Sequence, residues 1–297
     1  MSTPEHYRSR NISHWSPSKI NKPFWYVIAE YGYRQQKLWQ AQLAQRNGDA
    51  HADIMVAHYA KPPLPFKPLA GTVVADAATA ILNGEHQSEM VSNAIGALQE
   101  YNPDACKDHD IADFNLAGDG EHVIAAIENT LEALREAFPG ANQVECEEKV
   151  LIELLGVNVP VLGYSDARGG GVVAEIKTKW DSRDRRSSTG FKVNSVPARP
   201  LPYDVLQLAV YQKQHGGRAK LIYANRKNYR VFEVPQDQLD EAISIAQATC
   251  MQRQKLLERT ETVEELLSLT EPDWSHWLLS DWSPELVMEL KDVWAGN

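Results

Sequence analysis

The sequence predicts an α/β fold, with a mixed central β-sheet flanked by helices and further helices added at both ends. Short apolar runs rich in β-branched residues lie in the middle of the chain, as is typical of strands. Helical periodicity dominates before and after them. A helix between the third and fourth predicted strands allows a crossover connection, which favours a mixed sheet with helices on both faces.

The composition excludes several classes of protein. Of the 297 residues, 43% are hydrophobic and 24% are charged, which is ordinary for a soluble globular protein. No apolar run approaches the roughly 20 residues of a membrane helix, and the first ten residues lack the apolar core of a signal peptide. We therefore expect a cytoplasmic protein, in a bacterial or phage-infected cell, with no membrane partner. A net charge of −10 argues against a protein that coats DNA indiscriminately. It does not exclude DNA binding, because contact with nucleic acid depends on a local basic patch rather than on the total charge.

The three cysteines, Cys106, Cys146 and Cys250, are scattered along the chain without a C-x-x-C pair. An odd number of scattered cysteines does not form a fully paired disulfide framework. We expect all three to be free thiols.

We expect one domain over residues 1–297 with three parts. Residues 1–140 are mainly helical, residues 141–235 form the sheet core, and residues 236–297 form a helical cap that contains Trp274, Trp277, Trp282 and Trp294. Four prolines in residues 61–68 predict an extended connector before a helix over residues 71–83.

A hairpin is predicted at the centre of the sheet. The apolar runs Val159–Tyr164 and Val172–Ile176 flank the turn Gly169-Gly170-Gly171. Residues 143–155 before them fit either a first strand or a short helix, because apolar runs of this length are ambiguous. Beyond them, residues 220–224 and 229–234 predict two more strands, followed by a helix over residues 236–258.

Three charged residues converge on this hairpin. Glu175 and Lys177 are two apart on one strand and therefore share a face, and the turn brings Asp166 back beside them. Two neighbouring carboxylates repel unless a proton or a cation lies between them. Hard divalent ions bind such oxygen ligands, and a lysine beside them is suited to holding or deprotonating an attacking water. Metal-assisted phosphodiester hydrolysis uses this set of groups.

A helix beginning at Pro202 and ending before Gly216 follows a basic loop. Gln207 and Tyr211 are four residues apart and share one of its faces. The loop supplies candidate contacts to a nucleic-acid backbone, namely Lys179, Arg183, Arg185, Arg186 and Lys192.

Together these motifs resemble the PD-(D/E)XK nuclease superfamily, in its RecB-like and lambda-exonuclease-like branch. The resemblance rests on Gly163-Tyr-Ser-Asp166, Glu175-Ile-Lys177 and Gln207-x-x-x-Tyr211, which span about 50 residues. Ser16, Ser18 and Ile20 also match an S-x-S-x-(I/L) opening, which we interpret as scaffold. The resemblance implies a restriction-endonuclease-like α/β/α core.

The resemblance further implies how the site works. Asp166, Glu175 and the backbone carbonyl of Ile176 would bind Mg²⁺ or Mn²⁺, and Lys177 would orient or activate the water. Gln207 and Tyr211 would position the substrate backbone or the lysine. Some relatives carry a four-cysteine iron–sulfur cluster, which three cysteines exclude within one chain.

The family's G-T-x-x-H helix, which adds a further metal ligand, is matched from Gly71, but its ligand position holds Ala75. Asp76 falls one residue later, and an offset of one residue turns a helical side chain by about 100°. Asp76 therefore stands equally as a metal ligand or as a solvent-facing residue. For Glu145, Glu147 and Glu148, an exposed polar face is the favoured interpretation, and a place near the metal for one of them is the alternative.

The function favoured by these inferences is a divalent-metal-dependent DNA exonuclease of phage-type recombination or DNA processing. A sequence- or structure-specific endonuclease of the same superfamily and a non-catalytic DNA-binding protein are the alternatives. DNA is the expected partner. A second copy of the chain and a single-strand annealing or recombination protein are further candidates, because lambda-type relatives form rings around DNA.

Overall fold

The computed structural model describes residues 3–60, 66–101, 120–141, 143–184, 186–187 and 191–296. The chain divides into two compact units. One comprises residues 1–62, 151–162 and 244–297, and the other comprises residues 63–150 and 163–243. That they act as one domain stays a prediction.

The first unit is built mainly from helices. Its helices are α1 (Glu5–Arg8), α2 (Pro17–Asn21), α3 (Phe24–Val27), a π-helix (Ile28–Arg34), α4 (Gln35–Arg46), α5 (Ala52–Tyr59), the C-terminal part of α10 (Gln236–Glu258), α11 (Val263–Ser268), a 3-10 helix (Trp277–Asp281) and α12 (Pro284–Ala295). Ser16 caps α2 by accepting a hydrogen bond from the Lys19 N–H at 3.2 Å. The aromatic-rich tail packs on the N-terminal helices, where Trp274, Trp282 and Trp294 surround Trp25 and Tyr26.

The second unit holds the sheet. Its helices are α6 (Phe66–Leu82), α7 (Gln87–Gln99), α8 (Glu121–Ala137) and α9 (Pro202–His215). Strands β1 (Glu148–Ile152) and β2 (Val161–Ser165), which lie where the chain passes between units, pair with each other. The other strands are β3 (Ala167–Gly169), β4 (Val172–Thr178), β5 (Ser182–Arg183), β6 (Phe191–Lys192), β7 (Arg218–Ala224) and β8 (Tyr229–Val234).

The central sheet has the order β3-β4-β7-β8. β3 and β4 form an antiparallel hairpin, with Gly170 and Gly171 at positive φ in its turn. The predicted first arm, Val159–Tyr164, was wrong, because this run contributes to β2, which pairs with β1 instead. β4 runs parallel to β7 through the crossover helix α9, and β8 returns antiparallel. The sheet is therefore mixed, as predicted.

Helices cover both faces of this sheet. Val172, Ala174 and Ile176 pack into a core made with α6, α7 and α8. The alternate residues face the other way, and Tyr223 donates a hydrogen bond to Asp204 of α9 at 2.7 Å. The predicted fold class, a mixed central sheet flanked by helices, is confirmed.

The structure changes one local prediction and decides between the alternatives of another. Residues 61–65 of the proline-rich connector lie outside the described residues, but residues 66–68 already belong to α6. Pro68 fits there because the first turn of a helix leaves its N–H groups without intrahelical partners. The ambiguous segment 143–155 forms strand β1 over part of its length.

In the part of the chain that the structure describes, no helix is both long enough and apolar enough to cross a membrane. Cys106 lies outside that part, and both Cys146 and Cys250 are free thiols.

Candidate active site

The predicted acids meet at one end of the hairpin. β3 and β4 pair with Ala167 opposite Ala174, so continuing this register by one residue places Asp166 opposite Glu175. The Ile176 N–H donates to Oδ2 of Asp166 at 2.8 Å, which fixes that carboxylate against the strand. Both side chains line a cleft of about 420 Å³.

Glu175 is fully buried, and its Oε2 accepts no hydrogen bond among the described residues. Burial raises its pKa well above the ordinary value, and the nearby Asp166 carboxylate raises it further. Burial also raises the pKa of Asp166, although Lys177 and the Ile176 N–H oppose that rise. A buried carboxylate with an unused oxygen beside a second carboxylate calls for a proton or a cation.

The ammonium group of Lys177 partly neutralises these carboxylates. It contacts the Glu175 carboxylate and donates a hydrogen bond to Oε1 of Gln207 at 3.1 Å. Burial alone would lower the pKa of Lys177, but the carboxylates of Glu175 and Asp166 outweigh it, so the pKa is raised. The lysine is therefore held in its charged form at the site.

Helix α9 holds this lysine in place. Gln207 donates from Nε2 to the Tyr211 hydroxyl at 2.7 Å, which leaves its Oε1 facing Lys177. Tyr211 is buried, and burial raises its pKa. A Cβ on Gly163 would lie 2.7 Å from the Tyr211 ring, so the absence of a side chain at residue 163 makes room for this tyrosine.

Asp76 lies on the same cleft, together with Ala75. Partial burial raises the pKa of Asp76, and the carboxylates of Glu147 and Asp166 raise it further. Asp76 is therefore close enough to Asp166 for the two carboxylates to interact, although it lies one residue beyond the ligand position of the motif that the sequence resembles. Its role as a metal ligand stays a prediction.

Two further acids belong to this site. Glu147, for which a place near the metal was the alternative interpretation, lines the cleft. The second, Asp204, was not singled out from the sequence. Asp204 is fully buried, accepts from the Tyr223 hydroxyl and has its Oδ1 4.0 Å from Nζ of Lys177. The signal for Asp204 was its place three residues before Gln207, on the same helical face.

The predicted basic loop is only partly described. Arg185 lies outside the described residues, and of Arg183 only the strand position is described. Arg186 and Lys192 have exposed side chains. Lys179 instead places its ammonium 5.6 Å from the centre of the Tyr223 ring, and burial lowers its pKa.

The side chains of this cleft fit a hard divalent cation, since they offer carboxylate oxygens, among them the buried Oε2 of Glu175, which has no hydrogen-bond partner among the described residues. Among the described residues, no three His, Cys, Asp or Glu side chains are already gathered into a ready-made metal site. At its centre, the ammonium of Lys177 lies against Glu175 instead. A cation would thus compete with this lysine for the carboxylate.

Comparisons with known proteins give few matches. No protein family matches the chain, and no curated protein matches it. Among solved structures, a candidate exonuclease from Eubacterium rectale is similar at 14% identity, with 87% of each chain covered and a TM-score of 0.42. A protein named SSO0001 is similar at 22% identity over 60% of this chain and 74% of its own, with a TM-score of 0.27.

Proposed function

We propose that this chain is a divalent-metal-dependent DNA exonuclease that hydrolyses phosphodiester bonds. The observation that carries the proposal is the arrangement of Asp166 opposite Glu175, with the Lys177 ammonium against Glu175. Two interacting carboxylates, one of them fully buried, are costly for a fold that has no cation to place between them. Exonuclease activity, DNA as the substrate and a place in phage-type recombination follow from the resemblance of the Gln207-x-x-x-Tyr211 motif.

The metal would be Mg²⁺ or Mn²⁺, held by Asp166, Glu175 and the carbonyl of Ile176, with Asp76 as a further candidate ligand. Such an ion supplies a Lewis acid for the phosphate and lowers the pKa of a bound water. Lys177 positions the attacking water and stabilises negative charge on the phosphate oxygens. Gln207 fixes the direction of that ammonium through its hydrogen bond, and Tyr211 fixes Gln207.

The basic residues would bind the DNA backbone outside this centre. Arg186 and Lys192 are exposed and suit contacts with phosphates. Lys179, over the Tyr223 ring, suits a role at the rim of the site. A second copy of the chain, or a single-strand annealing or recombination protein, would be a partner in the same cytoplasmic process.

The test is a cleavage assay on end-labelled linear, circular and single-stranded DNA, with Mg²⁺ or Mn²⁺ and with EDTA. We expect loss of DNA from ends, no attack on closed circles and no activity in EDTA. Discrete internal fragments would instead assign an endonuclease. Absence of cleavage in every metal would assign a non-catalytic DNA-binding protein.

Two lysine variants separate chemistry from binding. Lys177→Ala should lower the cleavage rate at saturating DNA by about a thousandfold, because several kcal/mol of transition-state stabilisation are removed. Lys192→Ala, which removes an exposed side chain of β6, should weaken DNA binding and its salt dependence while leaving the saturated rate unchanged. Undiminished turnover of Lys177→Ala would remove this lysine from the mechanism.

A further inference from the structure

We propose that Glu147 is a third acidic ligand of the divalent cation in this site, placed there by a left-handed backbone conformation. This inference rests on the proposed function, because it concerns the cation that the proposed reaction requires.

The backbone pairing next to the hairpin gives Glu147 its position. Glu145 and Arg168 exchange two backbone hydrogen bonds, of 2.7 and 2.8 Å, as an antiparallel bridge beside β3. Continuing this register by two residues places Glu147 opposite Asp166. Asp166 in turn lies opposite Glu175. The three acids therefore belong to three neighbouring segments of the chain.

Glu147, Asp166 and Glu175 all line the same cleft. Like charges at such close quarters repel one another. One of the three is the fully buried Glu175, whose Oε2 has no hydrogen-bond partner among the described residues. A cation between the strands would relieve the repulsion and satisfy that oxygen.

The neighbouring glutamates show what an ordinary role looks like. Glu145 and Glu148 both form ion pairs with Arg168. Within the described residues, Glu147 forms an ion pair with no basic side chain. Its negative charge instead contributes to the raised pKa values of Asp76 and Asp166, both of which belong to the cleft. Glu147 is thus the member of this acidic segment that stays available to a cation.

The backbone of Glu147 is also unusual. Its φ of 50° lies in the left-handed region, which glycine adopts readily and a glutamate does not. Among the described residues other than glycine, only Asn11 shares a positive φ, and asparagine tolerates this region. A glycine at residue 147 would therefore relieve the backbone and remove the carboxylate. This separates the demands of folding from those of cation binding.

The experiment uses the full-length chain and Mn²⁺ alone as the probe. Binding is measured by isothermal titration calorimetry, and the Tm is measured with and without Mn²⁺. Glu147→Gln should weaken Mn²⁺ binding on the order of tenfold. The matched control Glu145→Gln, in the same segment, should change it less than about twofold, because that glutamate is already engaged by Arg168.

Glu147→Gly gives a second, independent readout. Without metal its Tm should rise by about 2 °C, since the strained backbone is relieved. Its Mn²⁺ affinity should nevertheless fall as far as that of Glu147→Gln. A stabilised protein that binds its cation less well is not expected if Glu147 has only a structural role.

Two outcomes overturn the inference, and Asp166→Asn tells them apart. If both Glu147 variants bind Mn²⁺ like the wild type while Asp166→Asn loses it, Glu147 is not a ligand and the proposed function stands. If the wild type binds no Mn²⁺, or Asp166→Asn binds it unchanged, both the inference and the metal-dependent function fail.

Discussion

Two glutamates, one in each unit, differ in how far their carboxylate oxygens are hydrogen-bonded. Glu289, on α12 of the mainly helical unit, accepts hydrogen bonds from the hydroxyls of Tyr33 at 2.6 Å and Tyr59 at 2.7 Å. Its second oxygen lies 3.0 Å from Nε2 of His58. Glu175, in the sheet unit, is more deeply buried and keeps one oxygen without a hydrogen bond.

Their pKa values move in opposite directions for this reason. Burial alone would raise the pKa of Glu289, but its bonds to Tyr33, Tyr59 and His58 outweigh burial and lower it. Burial raises the pKa of Glu175, and Asp166 adds to the rise. Hydrogen bonds to a charged group make it stabilising, whereas a buried charge without them destabilises the fold. The carboxylate of Glu289 therefore stabilises the fold, and we propose that the carboxylate of Glu175 takes part in the reaction.

The largest test of this contrast is Glu175→Gln. We expect cleavage to fall by about a thousandfold, because the amide is a poor ligand for a divalent cation. The free energy of unfolding without metal should rise by roughly 1 kcal/mol, because burial and the Asp166 charge disfavour the Glu175 carboxylate more than its contact with Lys177 favours it. Urea denaturation in EDTA, together with the cleavage assay, measures both. A destabilised but active variant would reverse the assignment of this glutamate.

The opposite change is expected at Glu289. Replacing it by alanine should lower the free energy of unfolding by about 2 kcal/mol, because two tyrosine hydroxyls lose a charged acceptor. The rate of cleavage by the folded protein should be unchanged. Tyr33→Phe, which removes one of these bonds, should cost about half as much in the same urea titration. No loss of stability in either variant would show that the bonds to Glu289 do not stabilise the fold.

The smallest expected effect is in the pH dependence of stability. The pKa of Glu289 is lower in the folded state than the ordinary value of 4.5. Its contribution is therefore fully present above pH 4.5 and is lost as the pH falls through the folded pKa. The difference in Tm between the wild type and Glu289→Gln should shrink between about pH 5 and pH 3. A difference that grows over this range would contradict the lowered pKa.

The sequence carried much of the fold because local signals agreed with one another. Pro202 and Gly216 predict the two ends of α9, and the structure has this helix. The glycine-rich turn predicts a hairpin, which the structure also has, but its first arm is β3 and not the predicted run Val159–Tyr164. The ends of α10 also match the predicted 236–258. Periodicity and turn residues determine such elements without reference to distant parts of the chain.

The site was harder to predict wherever it depends on contacts distant in the sequence. Glu147 comes near Asp166 through the pairing of Glu145 with Arg168, and no local pattern gives that register. The sequence presents Lys179 as a candidate DNA contact, but its ammonium group lies over the Tyr223 ring, which is distant in the sequence. Asp76 departs by one residue from the spacing of the motif that the sequence resembles and still lines the cleft, because the position of α6 against the sheet decides where its side chains point.

The position of Lys177 depends on Gly163, a residue that has no side chain to take part in the reaction. A single added methyl group there would collide with the Tyr211 ring, which steadies Gln207, which in turn directs Lys177. Three successive contacts would transmit that collision to the proposed reaction centre. The space that Gly163 leaves for the Tyr211 ring is therefore as necessary to the proposed reaction as the charged groups themselves.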